Sequence, residues 1–425
     1  MARAPSRWWN YENGLLLMMS LANGVVAMDR MAVSVLSPLI IPEFHLSNTQ
    51  LGLLSSGLSV MIAISGFFLA SLADATRKRK TILLITLTLF SLFSALSGAA
   101  TGFLVLLAAR MLLGLAEGPI CAIGQSIVAI ESDEKRRGFN MGVMQNFGAA
   151  IVGSTLGPIL FTQLGTHFGW RTAFYVSCLP GLVLVAFIYF TVRPLKEASP
   201  APRSVLAKAK DEPGFWSIFR SRNLVLALVI SALFSGWLII QGTFLPHYLN
   251  AVDGFSTTSI GLLLGLSGPA AAISGILVPW WSDRIGRRPA MTLLTCLGVI
   301  MPLVILFVHG PFLFLLLGLF AGGMGGGAGS LYIGVVPAEA VPRRHVATAV
   351  ALALASGEIF GGVIGPALAG KAADVYGLAA PFWISAVCAA ICAVLSLFLV
   401  ETAPRKAKVA AVFDSPGVAT DAIVP

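Results

Sequence analysis

The sequence predicts an all-α membrane protein of about twelve transmembrane helices, arranged as two pseudo-symmetric six-helix bundles. Three observations predict it. The 425 residues are 57% hydrophobic and only 11% charged, whereas soluble domains carry about 25% charged residues; mean hydropathy is +0.87. Apolar runs of about 20 residues, the length that crosses a bilayer, follow one another along nearly the whole chain. Residues with special backbone or charge roles recur at a fixed offset of 208 or 209 positions.

Hydropathy and helix breakers place spans near residues 14–41, 51–73, 81–99, 102–130, 138–166 and 171–191, and again near 223–250, 258–281, 289–308, 311–337, 345–372 and 378–400. The chain thus divides into an N-terminal bundle (1–192), a polar linker (193–222), a C-terminal bundle (223–400) and a tail (401–425) predicted to be disordered. Within the linker, Gly214 to Arg220 has the short amphipathic pattern of a segment lying on the membrane surface. Arg3 and Arg7 precede the first apolar run, as in a secretory signal. That run extends from Gly14 to Pro42 without a small-residue cleavage site, so the first helix is expected to remain.

The net charge of +9 invites a nucleic-acid reading, and the placement of the basic residues rejects it. Of 28 Lys and Arg residues, 24 fall in the N-terminal arm, alternate loops, the linker and the tail, all on one face. Positive-inside asymmetry of this kind predicts an integral plasma-membrane protein of the bacterial inner-membrane type, with both termini cytoplasmic. Anionic lipid headgroups are the expected partner of the excess charge. The five cysteines, Cys121, Cys178, Cys296, Cys388 and Cys392, lie in apolar segments without a CxxC pair. They read as small buried hydrophobes.

The internal repeat is specific. Gly52, Ile64-Ser65-Gly66 and Asp74 recur as Gly261, Ile273-Ser274-Gly275 and Asp283; Glu131, Arg136, Gly153, Gly157-Pro158, Gly169 and Phe174 recur as Glu339, Arg344, Gly361, Gly365-Pro366, Gly377 and Phe382. Two six-helix repeats joined by a polar linker are the plan of a rocker-type transporter. The segment Pro279-Trp280-Trp281-Ser282-Asp283-Arg284-Ile285-Gly286-Arg287-Arg288 matches G-x-x-x-D-R-x-G-R-R except at Pro279; the first copy keeps Asp74, Lys78 and Arg79 but has Ala70, Ala75 and Arg77 at the other key positions. On these residues the chain resembles the major facilitator superfamily over nearly its whole length. An aspartate at a helix end can face the positive N-terminus of a neighbouring helix, worth up to about 2 kcal/mol when partly buried. The flanking arginines can pair with acids of the opposite half in one state and release them in the other. Asp74, Asp283, Arg284, Arg287 and Arg288 are therefore expected to act as conformational latches; a plain basic stop at the membrane face is the alternative.

Ionisable residues inside spans are costly and usually face a cavity. Five stand out: Asp29 and Arg30 in span 1, Arg110 and Glu117 in span 4, and Glu358 in span 11. Arg110 and Glu117, seven residues apart, share one helical face and lie about 10.5 Å apart along the axis. A proton on Asp29 or Glu117 would release Arg30 or Arg110 to take a substrate carboxylate, which a guanidinium holds bidentately. The same four residues would equally form a salt-bridge network that only locks helices. Met28-Asp29-Arg30-Met31-Ala32-Val33-Ser34 and Arg110-Met111-Leu112-Leu113-Gly114-Leu115-Ala116-Glu117-Gly118-Pro119 resemble the anion:cation symporters, which move sugar acids, aromatic acids and related carboxylates with protons. That resemblance implies Asp29 and Glu117 as proton sites and Arg30 and Arg110 as organisers of the anion site. Spinster-like lipid carriers share much of the pattern. The repeat mate of Glu358 is Ala150, so the scaffold does not require Glu358; a second proton site or a contact to a polar substrate group is expected there.

Gln145, Asn146, Trp237 and Gln241 are expected to line the cavity, although buried amides also bridge helices. The run Gly322-Gly323-Met324-Gly325-Gly326-Gly327-Ala328-Gly329 lacks the Lys-Ser/Thr of a phosphate loop, and its overlapping GxxxG spacings predict close helix packing. Gly153-Ser154-Thr155-Leu156-Gly157-Pro158 partly matches an antiporter motif and recurs in span 11, which reads as a packing and hinge element. Together these residues predict a monomeric, proton-coupled importer of a small organic anion, a sugar acid or aromatic carboxylate, with the proton as coupling ion and no other cofactor. No nucleophile–base pair or metal cluster suggests an enzyme. A proton-antiport exporter of drug-like or lipid-like solutes and a non-transporting sensor or scaffold are the competing readings.

Overall fold

The computed structural model describes residues 11–76, 78–133, 136–193, 215–342 and 345–403. The N-terminal half holds α1 (Tyr11–Val35), α2 (Asn48–Thr76), α3 (Arg79–Gly98), α4 (Phe103–Glu131), α5 (Arg137–Phe168) and α6 (Trp170–Thr191). The C-terminal half holds α7 (Arg222–Ala251), α8 (Thr257–Ser267 and Pro269–Ile285), α9 (Arg287–Phe307), α10 (Phe312–Glu339), α11 (Val346–Ser356, Gly357–Ile364 and Gly365–Tyr376) and α12 (Ala380–Ser396). Eleven of these contain a stretch long and apolar enough to cross a membrane. The twelfth, α12, has 17 residues, or about 25 Å at the α-helical rise. Tight turns closed by Leu397, Phe398 and Leu399 amides bonding three residues back extend it toward full bilayer thickness. Most of linker 193–222, the tail beyond 403, and Arg3 and Arg7 lie outside the described residues; Phe215–Arg220 forms a short 3-10 turn before α7.

The first span is shorter than its apolar run. Pro38 has no N–H for the Ser34 carbonyl, and the helix breaks at Leu36 before a short helix, Ser37–Phe44. Glu43 ties that short helix to α6: the Trp170 indole N–H donates to it at 2.6 Å and the Arg171 guanidinium lies at 2.6 Å. The indole hydrogen bond first, then Arg171, holds the Glu43 carboxyl below the ordinary carboxylate range.

The repeat read from sequence reappears in backbone detail. Ala149–Leu156 in α5 and Gly357–Ile364 in α11 are both π-helical, and both run into Gly-Pro, at Gly157-Pro158 and Gly365-Pro366. A proline leaves a carbonyl one turn earlier without its donor, which favours the wider turn. Gly169 and Gly377, at the matching α5–α6 and α11–α12 corners, have φ of 85° and 89°, a region that favours glycine. The glycine run of α10 packs closely, as expected: a Cβ on Gly325 would meet the Gly298 backbone of α9 at 2.6 Å. Without water to drive helix association, such close backbone approach supplies the packing.

The two halves meet along α2–α11, α5–α8 and α1–α7. These contacts concentrate toward the face opposite the one that carries Tyr11 and Glu401. A Cβ on Gly52 would lie 2.1 Å from the Pro366 carbonyl oxygen, and one on Gly370 2.4 Å from that of Asn48. Ser55 and Thr243 hydroxyls sit 3.0 Å apart across the halves. The Asp374 carboxylate of α11 caps the start of α2, accepting from the Asn48 and Thr49 amides at 2.8 and 2.9 Å. The opposite face is therefore closed.

Asp374→Ala removes a helix cap worth about 0.5–2 kcal/mol, which should raise the population open at this face roughly 2- to 30-fold. Maleimide labelling of a Ser55→Cys reporter, added from that face to a chain otherwise free of cysteine, should speed up accordingly. An unchanged rate would show that Asp374 does not clasp the halves.

Candidate functional site

Asp29 and Arg30 are consecutive on α1, so their side chains leave the helix about 100° apart. Asp29 turns into the N-terminal half and Arg30 toward the C-terminal half. α4 presents Arg110 and Glu117 to α1, as their spacing predicts, and the two pairs form separately. Arg110 Nη1 donates to Asp29 Oδ2 at 2.9 Å and Nη2 to the Asp29 carbonyl at 3.0 Å. The Ser94 hydroxyl of α3 donates to Asp29 Oδ1 and lies 2.8 Å from Ser177 Oγ of α6. Asp29 thus joins four helices, and its side chain and that of Arg110 are 2% and 1% exposed.

Arg30 Nε donates to Glu117 Oε1, and Arg30 Nη1 lies 3.7 Å from Glu358 Oε1 across the interface between halves. The Arg30 side chain is 41% exposed and Glu358 29%, while Glu117 is 1% exposed. The second oxygens of Glu117 and Glu358 are buried with no hydrogen-bond partner. Glu358 lies in the first turn of the π-helical stretch of α11, a feature common at functional positions.

Burial separates the two arginines. Both members of the Arg110–Asp29 pair are enclosed, whereas the Arg30–Glu117 pair joins an exposed arginine side chain to a buried carboxylate. Arg110 is locked behind α1 in this conformation. Arg30 keeps open guanidinium surface between the halves.

Of the expected cavity residues, the structure brings some together and leaves others apart. On α4, Glu117, Cys121 and Gln125 follow at four-residue steps; Gln125 Nε2 donates to Gln145 Oε1 at 2.6 Å and approaches Cys121 Sγ at 3.6 Å. Asn23 Nδ2 donates to the Gln145 carbonyl at 2.9 Å. Asn146 Nδ2 donates to the Gly142 carbonyl, and its Oδ1 faces Gly275 of α8. Trp237 does not join this group: it is buried inside the C-terminal half, stacked on Phe234 with its indole N–H on the Gly298 carbonyl at 2.8 Å. Gln241 is 1% exposed and donates to the Trp237 carbonyl. Hydropathy places both in α7 but cannot say which way they point. Asn23 and Cys121 were not singled out in the sequence. The helical spacing that linked Arg110 to Glu117 also links Asn23 to Arg30, seven residues on, and Cys121 to Glu117, four residues back.

The latch residues take partners within their own half. Arg287 contacts Asp283 at 2.6 Å, Glu339 of α10 at 2.9 Å and Ser282 Oγ at 2.6 Å. Glu401 accepts the Arg287 amide at 2.7 Å and the Arg288 amide at 3.3 Å, capping α9. The Arg284 guanidinium lies 3.8 Å from the centre of the Trp280 ring. Among the described residues, the acids that pair with the Arg287 side chain are Glu339 and Asp283 of its own half, as expected of a latch in its released state. The Asp74 side chain lies outside the described residues.

Arg110→Ala should lower the apparent Tm in detergent, because it strands Asp29, 2% exposed, at a cost of about 3–5 kcal/mol. Adding Asp29→Asn to Arg110→Ala should recover most of the loss. A double variant no more stable than Arg110→Ala alone would contradict the locked pair.

With this geometry in place, similarity to known proteins is informative. A profile described as Major Facilitator Superfamily matches residues 19–280 and 253–420. The hexuronate transporter of Bacillus subtilis (strain 168) is 27% identical over 300 residues, which cover 67% of this chain and 69% of that protein. The sialic acid transporter NanX of Escherichia coli (strain K12) is 27% identical over 266 residues, covering 62% of this chain and 63% of that protein, so this match spans less than two thirds of that relative's length. Among solved structures, a bacterial homolog of the human lysosomal transporter Spinster superposes with a TM-score of 0.73 at 19% identity, covering 93% of this chain and 97% of that one. The twelve helices, the repeat and the profile agree: the chain belongs to the Major Facilitator Superfamily.

Proposed function

We propose that the chain is a secondary transporter that takes up a small organic anion, a sugar acid or an aromatic carboxylate, together with protons by alternating access. The observation that carries this reading is Arg30, its side chain 41% exposed between the halves, with Glu117 and Glu358 in reach of its guanidinium. A guanidinium is a planar bidentate receptor for a carboxylate. When Glu117 takes a proton it no longer holds Arg30 as an ion, and the guanidinium turns to the substrate. Proton and anion then favour each other's binding. Asp29 acts in the same sense on Arg110 when protonation loosens that pair. Gln145 and Asn146, together with Gln125, offer amides to the remainder of the solute.

Hexuronates and sialic acids each combine a carboxylate with hydroxyls, so the two relatives support a sugar acid. With both termini in the cytoplasm of a bacterial inner-membrane protein, as the basic loops predict, the conformation seen here opens inward. Each chain carries its own pathway, so a monomer suffices. Asp74, Asp283, Arg284, Arg287 and Arg288 would regain cross-half partners as the inner face closes.

Uptake into proteoliposomes under an inward proton gradient tests the reading, with D-glucuronate and aromatic carboxylates as solutes. Glu117→Gln should abolish gradient-driven accumulation while leaving solute exchange. Arg30→Ala should weaken apparent affinity about 10- to 150-fold, the loss of a charged hydrogen-bonding partner worth about 1.5–3 kcal/mol. Flux of a cationic or lipid-like solute against the gradient, with no acid taken up, would replace this reading by the exporter. No flux of any solute would favour the scaffold.

A further inference from the structure

We infer that Glu358 sets the coupling ratio of this site: two protons accompany each monoanion, and one would suffice if residue 358 were neutral. The inference rests on the anion uptake proposed above and concerns the charge balance of the same site.

The buried ionisable groups between and behind the halves do not cancel. Asp29 and Arg110 form an enclosed neutral pair. Arg30 is matched by Glu117, which its Nε reaches directly. Glu358 is the acid left over. Its Oε1 stands 3.7 Å from Arg30 Nη1, beyond hydrogen-bond length, and its Oε2 is buried with no partner.

Among the described residues, the other side chains beside this turn of α11 are neutral hydroxyls. From α2 comes Ser59, whose hydroxyl lies beside the same face of Gly362 as Glu358 Oε2. From α7 come Ser231 and Ser235, next to Gly357. Among the described residues, Arg30 of α1 is the cation recorded in contact with Glu358. The repeat gives no structural reason for an acid here, since the matching residue in α5 is Ala150.

A net charge between the halves is unfavourable where water is scarce. With all its acids ionised, the empty site carries one uncompensated negative charge, and a bound monoanion adds a second. The loaded site becomes neutral when two protons have entered its carboxyl groups. The protons arrive from the side where the solute binds and leave with it on the other side; no other bond forms or breaks. A neutral residue at 358 removes one negative charge, and the loaded site then balances with one proton.

The two ratios differ in what they move. Two protons with a monoanion carry one net positive charge inward, so membrane potential drives uptake. One proton with a monoanion moves no net charge. In proteoliposomes at equal internal and external pH, a potassium diffusion potential of about 59 mV, negative inside, should raise steady-state D-glucuronate accumulation about tenfold in the wild type. The same potential should leave Glu358→Gln unchanged, while a pH gradient still drives that variant.

A wild type indifferent to potential, or a Glu358→Gln variant with the wild-type response, overturns the inference. If the variant carries no flux, the wild-type reversal point decides. At zero potential, one pH unit should balance a roughly 100-fold D-glucuronate gradient for two protons and a tenfold gradient for one; the lower value overturns it. A wild type that moves no D-glucuronate under any gradient removes the anion reading and this inference with it, an outcome distinct from flux at the wrong ratio.

Discussion

A carboxylate in the middle of a membrane protein must be paired, and here one such pairing organises the rest. Asp29 accepts from Arg110 twice, once at its side chain and once at its backbone, and from Ser94. These bonds fix α1 against α4 and α3, and through Ser94 and Ser177 against α6. Because the next residue on α1 is turned about 100° away, locking Asp29 inward also aims Arg30 outward, at the interface between halves. The rigid pair and the open guanidinium are two consequences of one dipeptide on one helix. Removing the pair would disturb the open site even though the two do not touch the same partner.

The second constraint is the backbone of α5 and α11. Their π-helical turns fall at matching positions of the repeat and end in the same Gly-Pro step. Both helices lie at the seam between halves, α5 against α8 and α11 against α2. A widened turn shifts the register of the side chains that follow, and Glu358 lies in the first turn of the α11 stretch, 3.7 Å from Arg30. Beyond the turn, small residues let the halves touch backbone to backbone, as at Gly52 and Pro366. The closed face is therefore built from glycine contacts, a helix cap, a hydroxyl contact and an apolar cluster shared by both halves.

Much of this was legible in the sequence, for identifiable reasons. Spans, loops and the repeat follow from composition and from glycines and prolines whose roles are local. The quartet Asp29, Arg30, Arg110 and Glu117 stood out because charge inside an apolar span is rare enough to need a reason. Which arginine is open was not legible, since that depends on how α1 is rotated, and hydropathy carries little directional information when a helix is apolar on every side. The same cause hid the orientation of Trp237, packed on Phe234 and Gly298 of its own half, and of Gln241, whose amide turns to the Trp237 carbonyl. Asn23 was missed although its seven-residue spacing from Arg30 was available. The partners of Arg287 depend on conformation, which a single sequence does not fix.

The repeat also shows where the halves diverge, and that divergence is informative. At either offset, the counterpart of Glu117 in α10 is a glycine, Gly325 or Gly326, and the counterpart of Arg110 is Gly318 or Leu319. The C-terminal half fills that space with close α9–α10 packing instead of ion pairs. The counterparts of Asp29 and Arg30 fall among Trp237, Leu238 and Ile239; Trp237 belongs to an aromatic and aliphatic core, and Leu238 is exposed. One half thus keeps its charges and the other has replaced them, with Glu358 as the exception. A symmetric pair of charged bundles would place two fixed networks against each other across the seam. With the charge at the site concentrated in one half, the other half can move relative to it by breaking the loose ionic contact recorded between them among the described residues, the 3.7 Å approach of Arg30 and Glu358. Asymmetry in the ionisable residues, laid over symmetry in the backbone, lets one site stay assembled while the scaffold around it changes shape.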